Sequence, residues 1–462
     1  MDGEDDTSVG HHERKGGCNG DMNGADGRPL KEPDPQQSQP LVEAADFAVL
    51  PNESDTGKCT RIIELLQMAH VQFWVAATYG LLAPYFPALA ASRELEAWKY
   101  GFVFSIGKIT TLIGSLVGQP FVRFTSPKTV FLFGQAGYFA ANLLYGLLYW
   151  TTGGNDLLGF ALCVGALGGF TESVYAVISY SVVSLTFYDN PGVAIAAMQF
   201  LWGTGGAVGA IIGGLLIDLW AYPLPFFVVP SLFIVLLPPI ARSGVFKRLR
   251  KDADLSCLEE SAVYHHLLGD IVFAVCLINM ILNGSIFGFN ETTLEPYLQN
   301  FQESSSAVGS VFMTQLASFS VGSALAGIIC YFKVEATFIP VAHICNVLAY
   351  ILLGPAPFLP FEPNLYLIYF SQVLVGSGMA SVCVLSYCHA LNRAVKKGYN
   401  ENIRTNTFLS SAMFSAYVIG AIISPPISGY VVETFGYRKG SMSLLGVLLA
   451  WVALEEVGCL AT

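Results

Sequence analysis

Hydrophobic and polar positions divide the chain into a polar lead and a long, mostly apolar remainder. Up to residue 57 apolar residues are sparse and Asp, Glu, Gly and Pro abound. Ordering such a segment would not bury enough apolar area to offset the entropy lost, so residues 1–57 read as a disordered acidic tail. From Arg61 onward, apolar stretches recur at about the 20-residue length that crosses a bilayer core. In the first half they run over 62–89, 100–121, 130–150, 157–185, 194–219 and 224–240, and in the second over 267–298, 308–331, 338–358, 365–391, 407–432 and 441–454. The pattern predicts an all-α membrane protein of about twelve transmembrane helices in two six-helix bundles, 58–240 and 267–462. A polar cytoplasmic linker, 241–266, joins them and holds the basic run Lys247, Arg248, Leu249, Arg250, Lys251. The last span is short and carries Glu455 and Glu456, so the count of twelve is weakest there and an early or alternative terminus is expected.

A repeat within the chain supports the two halves. Residues 205–222 read GGAVGAIIGGLLIDLWAY and residues 420–437 read GAIISPPISGYVVETFGY. Aligned without gaps, Gly205 meets Gly420, Gly214 meets Gly429, Asp218 meets Glu433, Trp220 meets Phe435 and Tyr222 meets Tyr437. These segments fall on spans five and eleven, the equivalent helices of parallel six-helix repeats. Orientation follows from Lys and Arg in the short loops. With the N-terminus in the cytoplasm, that side holds 12, among them Arg123, Lys128, Lys333, Arg393, Lys396, Lys397 and Arg404, and the other side 4, Arg93, Lys99, Arg438 and Lys439. Trp98, Trp150 and Trp220 fall at non-cytoplasmic span ends, where an indole sits at the interface, in agreement with the charges.

Composition sharpens the class. Of 462 residues 53% are hydrophobic and 12% charged, about half the charge of an ordinary soluble domain. The net charge of -11 is mostly the lead segment, which sets 13 Asp or Glu against 4 Lys or Arg. The body is therefore nearly neutral, and no nucleic-acid footprint remains. Cys163, Cys276, Cys330, Cys345, Cys383 and Cys388 lie in apolar runs without metal-ligand spacing and read as free thiols. No signal peptide is expected in the polar N-terminal segment, so the first span serves as its own insertion signal.

Charges inside spans carry the functional signal, because a mid-membrane Asp, Lys or Arg costs roughly 2.5–3.5 kcal/mol on insertion scales. Lys108 lies about a third of the way into span two, Glu172 in the middle of span four, and Glu291 deep in span seven with Glu295 one turn later. Lys108 and Glu172 are candidates for an ion pair within the first half, with Glu291 facing them across a cavity. A carboxylate at that depth suits exchange of a cation for a proton, since desolvation favours its protonated form and a bound cation its ionised form. Gln199, Asn290, Asn142, Asn279 and Tyr175 could add hydrogen bonds to the cavity. His343 and His389 read as packed or helix-end histidines rather than proton relays. Gly205, Gly209, Gly213 and Gly214, with Gly203 and Gly206, form a ridge without side chains for close helix packing or for a hinge between halves. Pro425 and Pro426 are the gating or packing candidates of span eleven. No nucleotide-binding loop, metal cluster or nucleophile constellation stands out, so no enzyme, cofactor or metal is expected.

Four segments resemble the major facilitator superfamily, and within it the vesicular polyamine transporter-like branch of the vesicular amine transporter family. They are LLAPYFP at 81–87, FGFNETTLEPYL at 287–298, YILLGPAPFLP at 350–360 and the span-eleven segment 420–437. The resemblance covers about residues 77–449 and implies the major facilitator fold, rocking of two bundles, and exchange of organic amines for protons. Glu291 falls where the family carries an acid after Phe-Gly-Phe. The family's Gly-rich signature of span five maps onto Gly205, Gly209, Gly213 and Gly214, with Ala210 in place of its Pro. Its loop between spans two and three is QPFVRFTSPK here, with Lys128 as the clear match. Where span four of the family offers an Arg and an Asp, residues 165–169 are uncharged and Glu172 follows one turn on. The family's acid in span five is Gln199.

The expectation is a secondary transporter, a monomer in the lipid bilayer that exchanges a small organic cation for protons, with Glu291 and Glu172 as acceptors. The alternatives are a facilitator of neutral or anionic metabolites, in which Lys108 attracts a carboxylate, and a transport-inactive receptor or scaffold. A vesicular or endomembrane location follows from the resemblance, with the plasma membrane as the alternative.

Overall fold

A computed structural model of the protein describes residues 55–186, 191–235, 265–360, 362–399 and 403–459. The expected acidic tail, apart from its last residues, and most of the expected linker lie outside them. The described residues are helical almost throughout. The long helices are α1 (Asp55–Tyr79), α2 (Leu82–Ser92), α3 (Ala97–Phe124), α4 (Pro127–Leu147), α5 (Gly154–Thr186), α6 (Pro191–Leu219) and α7 (Pro223–Ile234) in the first half. They are α8 (Ile271–Leu298), α9 (Ser305–Tyr331), α10 (Glu335–Leu353), α11 (Leu365–Lys396), α12 (Ile403–Phe435) and α13 (Tyr437–Cys459) in the second. A segment without water around it must satisfy its backbone internally, which leaves the helix as the solution for these apolar runs. Their Ser and Thr hydroxyls follow the same rule. Thr111 donates to the Gly107 carbonyl at 2.9 Å, Thr171 to Leu167 at 2.7 Å and Ser371 to Leu367 at 2.7 Å.

Nine helical segments of the described residues are long and apolar enough to cross a membrane. The helices α3, α7 and α13 complete two sets of six by their packing. In the first half α3 packs on α5, α4 on α5 and α7, and α6 on α7; in the second α9 packs on α11, α10 on α11 and α13, and α12 on α13. Each half thus repeats the pairings of the other. The halves meet along two seams, α3 against α12 and α6 against α9. Large apolar side chains such as Leu219, Tyr331 and Tyr366 are exposed on the outside, while Gln135, Asn142, Asn346 and Gln372 are buried. That distribution suits a bundle whose solvent is lipid.

Two spans depart from the sequence reading. Span one is two helices, broken at Gly80 and Leu81. Pro84 lacks the N–H that would bond the Gly80 carbonyl four residues back, and its ring clashes there. The last span is a helix of 23 residues from Tyr437 to Cys459, longer than its charged end suggested.

Glycines set how closely the helices approach, at matching places in the two halves. Gly205 lies against the Phe73 carbonyl of α1, and Gly420 against the Ile281 carbonyl of α8. Across the seams, a side chain at Gly101 would begin 2.8 Å from the Pro425 carbonyl oxygen, and its counterpart Gly309 meets the Ala210 carbonyl. Gly429 faces the Ala97 backbone and Gly214 the backbone of Ser305 and Ser306, again as counterparts. The repeat seen in spans five and eleven therefore extends through spans one and seven and spans two and eight.

Gly209 abuts the backbone of Ala77, which cannot yield as a flexible side chain would, whereas Gly446 has nothing within 4 Å of its would-be Cβ. Gly209→Ala is expected to lower stability by about 1–3 kcal/mol through overpacking. Gly446→Ala is expected to be neutral or slightly stabilising through helix propensity. Thermal melting of the two purified variants in one detergent checks the contrast.

Candidate functional site

The centre of the molecule is an aromatic box built from both halves. Tyr79 ends α1 and Trp202 lies on α6; Phe287 lies on α8 and Tyr417 on α12. Ring centroids are 6.1 Å apart for Tyr79 and Phe287, 5.8 Å for Tyr79 and Trp202, 5.8 Å for Trp202 and Phe287, and 6.1 Å for Phe287 and Tyr417. Tyr79 and Phe287 each precede a close-packed glycine, Gly80 and Gly288, and Trp202 and Tyr417 stand equally far before Gly205 and Gly420. Each repeat supplies two of the four rings. Beside the box is a small cavity lined by Tyr79, Trp202, Phe287, Phe312, Gln315, Asn290 and Glu291 among others.

An ion pair between the halves closes the box. The Lys108 ammonium of α3 lies 3.4 Å from Glu291 Oε1 of α8, with 12% and 4% of the two side chains exposed. It also stands over two aromatic faces, 4.3 Å from the Tyr79 ring centroid and 5.2 Å from that of Phe287. The Tyr79 hydroxyl donates to the same Glu291 Oε1 at 2.7 Å. Glu291 Oε2 is buried without a hydrogen bond, and so is the Asn290 amide nitrogen, whose carbonyl oxygen accepts from the Tyr350 hydroxyl at 2.9 Å. An ammonium held by one carboxylate and two ring faces is the arrangement in which cation–π attraction is strong, because water is excluded.

A second small cavity lies on the other side of Tyr79, inside the first half, lined by Lys108, Glu172, Tyr138, Asn142 and Tyr145 among others. Glu172 makes no ion pair within 4 Å and no hydrogen bond with the described residues. The pairing of Lys108 with Glu172 considered from sequence is therefore not the one formed. Lys108 reaches across to Glu291, where the Tyr79 hydroxyl and two ring faces complete its surroundings.

The remaining candidates are dispersed. Gln199 donates to Cys383 Sγ at 3.6 Å and lines neither cavity. Glu295 is buried farther along α8, accepts from Gln299 Nε2 at 2.8 Å, and lines neither cavity. Asn279 belongs to a polar cluster within the second half: its side-chain oxygen meets His343 Nε2 at 3.1 Å and accepts from Trp451 Nε1 at 2.7 Å, and its nitrogen donates to Glu455 at 3.4 Å. His389 stands 3.8 Å from Glu335. Tyr175 packs in an apolar cluster with Phe131 and Tyr138. Gly213 packs against Leu81 and Tyr85, and Pro425 and Pro426 sit on the seam opposite Gly101. Asp218, in sequence a repeat position matched to Glu433, ties the halves by accepting from the Ser305 and Ser306 amides at 3.0 and 2.8 Å. The box aromatics were not foreseen as site residues; their sequence signal is an aromatic at the same place in each repeat.

A family model described as Major Facilitator Superfamily matches residues 68–399. The chain belongs to that superfamily. It is a multi-pass membrane transporter. The rat protein named MFS-type transporter SLC18B1 is 22% identical over 398 residues, covering 85% of this chain and 86% of its own length. The human protein of the same name is 22% identical over 381 residues, covering 82% of each. These relatives agree with the resemblance to the vesicular polyamine transporter-like branch. Among solved structures, the nucleoside transporter NupG superposes with a TM-score of 0.61 at 14% identity, covering 85% of this chain and 98% of its own, which shows the shared fold.

At the opposite end of the bundle from Trp98, Asp270 anchors the second half of the transporter. It caps α8 by accepting from the Val272 and Phe273 amides, takes Arg393 Nε at 3.1 Å and Nη2 at 3.0 Å, and stands 2.6 Å from Lys397 Nζ. Burial opposes ionisation of this carboxyl, but hydrogen bonds from Arg393, Lys397 and the Phe273 amide outweigh it and hold Asp270 well below the usual carboxylate range. A depressed folded-state value means the stabilisation is complete above the unfolded value of about 3.9 and fades as pH falls through the folded one. Asp270→Asn is expected to lower the melting temperature at pH 7. The deficit should persist unchanged to about pH 5 and narrow only below about pH 4, as read by melting curves across pH.

Proposed function

We propose that the protein is a proton-coupled antiporter of a small organic cation, an amine or polyamine, working by alternating access. The observation that carries this reading is Glu291: a buried carboxylate with one oxygen unbonded, set in an aromatic box beside a cavity at the junction of the two halves. A carboxylate and ring faces together recognise an alkylammonium. The same carboxylate takes a proton when no cation is present, so proton and cation compete for one group. Glu172, with no hydrogen bond to the described residues in the neighbouring cavity, is the second acceptor. Gly214 and Gly429 on the seams, with the Asp218 cap on α9, form the contacts that part when the bundles rock.

The facilitator of anionic metabolites is disfavoured by the position of Lys108, whose ammonium is occupied by Glu291 rather than free to attract a substrate carboxylate. Positive charge in the loops supports a cytoplasmic N-terminus. A monomer in a vesicle or other endomembrane, with the acidic side receiving the amine, completes the reading.

Purified protein in proteoliposomes with an acidic interior is expected to accumulate labelled spermidine or tyramine, and Glu291→Gln to reduce the accumulation at least about tenfold. Accumulation that ignores the pH gradient, or that survives Glu291→Gln, would overturn the proposal.

A further inference from the structure

The cation site already contains a cation. The Lys108 ammonium has a carboxylate oxygen at 3.4 Å and two ring centroids at 4.3 and 5.2 Å, the contacts a diffusing alkylammonium would seek. It arrives on a flexible four-carbon stem from α3, whereas the carboxylate belongs to the other half. Lys108 also lines the second cavity together with Glu172, and Glu172 there has neither a hydrogen bond nor an ion pair with the described residues. Tyr79 borders both cavities, so the ammonium stands at the wall between an occupied carboxylate and a vacant one.

From this placement we infer that Lys108 is a tethered occupant of the cation site, and that an incoming alkylammonium displaces it from Glu291 onto Glu172. The inference rests on the cation reading of the site. The exchange is balanced in charge and protons: before it, one ammonium serves Glu291 and Glu172 is a neutral acid; after it, the substrate serves Glu291, Lys108 serves the Glu172 carboxylate, and the Glu172 proton has left to water, so one proton leaves as one cation enters. Each buried charge keeps a partner, which avoids the large penalty of leaving one alone. The displaced bond is the ion pair that links the halves at the site, so substrate entry converts a tie between the halves into a pair inside one of them. Lys108 is then a positioning residue that sets apparent affinity, because an internal occupant lowers the competent fraction of the site and raises the apparent Kd in proportion.

Equilibrium binding of labelled tyramine and spermidine to detergent-purified protein at one fixed pH tests this. Lys108→Gln is expected to tighten binding about tenfold. Lys108→Arg, which keeps a tethered cation, is expected to stay near the parent or weaker. Glu172→Gln is expected to weaken binding about tenfold in the parent, where Lys108 loses its refuge, and to have little effect in the Lys108→Gln background. Melting curves confirm that each variant is folded, and Lys108→Arg covers the case in which Lys108→Gln is not. If the parent binds the probes and Lys108→Gln leaves the affinity unchanged or weaker, the displacement is overturned while the cation reading stands. If Glu172→Gln acts equally in both backgrounds, the refuge is overturned. If no variant binds, Lys108→Gln included, both readings fall together.

Discussion

Lys108 and Glu291 share one ion pair in a place where neither could stand alone. In the interior of a bundle surrounded by lipid, an unpaired ammonium or carboxylate costs several kcal/mol, and removing one partner strands the other. Because the two groups come from opposite halves, this requirement holds the halves together at the site. The Tyr79 hydroxyl adds a bond to the carboxylate, and the Tyr79 and Phe287 rings add their faces to the ammonium. The box, the two cavities and the vacant carboxylate of Glu172 all take their meaning from where that pair is placed.

The scaffold around the pair is nearly twofold, but the charges are not. Helix pairings and glycine contacts recur in the two halves, and each half supplies two of the four box rings. By the same correspondence, Lys108 is matched by Leu316 and Glu291 by Ala83. Gly169 against Gly107 and Gly376 against Gln315 are likewise counterparts, which places Met379 opposite Glu172. A symmetric frame lets two bundles rock about a common centre, while an asymmetric set of charges gives that centre a polarity. The same imbalance appears at the seams, where Asp218 bonds the amides of Ser305 and Ser306 and its counterpart Glu433 is exposed.

Much of this architecture is visible in sequence because lipid imposes a simple rule. Runs of about 20 apolar residues must be helices, and the Gly-rich segments at 205–222 and 420–437 betray the repeat. Glu291 and Lys108 stand out because charge within such runs is expensive. The partner of Lys108 was not legible, since helix contacts between distant spans decide it and Glu172 lies at a comparable depth. The break at Gly80 was written in the sequence as Pro84, four residues on, but a hydropathy pattern does not register it. The box was hidden for another reason: Tyr79, Trp202, Phe287 and Tyr417 look like ordinary apolar positions until the repeat is traced beyond spans five and eleven.

A thermal-stability cycle on the central pair bears most directly on this picture, using Lys108→Met, Glu291→Gln and the double variant in one detergent at neutral pH. A buried pair that ties the halves predicts a clear drop in melting temperature for Lys108→Met, which leaves Glu291 without its ammonium, and for Glu291→Gln, which leaves Lys108 only Glu172 within its own half, with the double variant losing less than the two together. Losses that simply add, or single variants that melt with the parent, would contradict it.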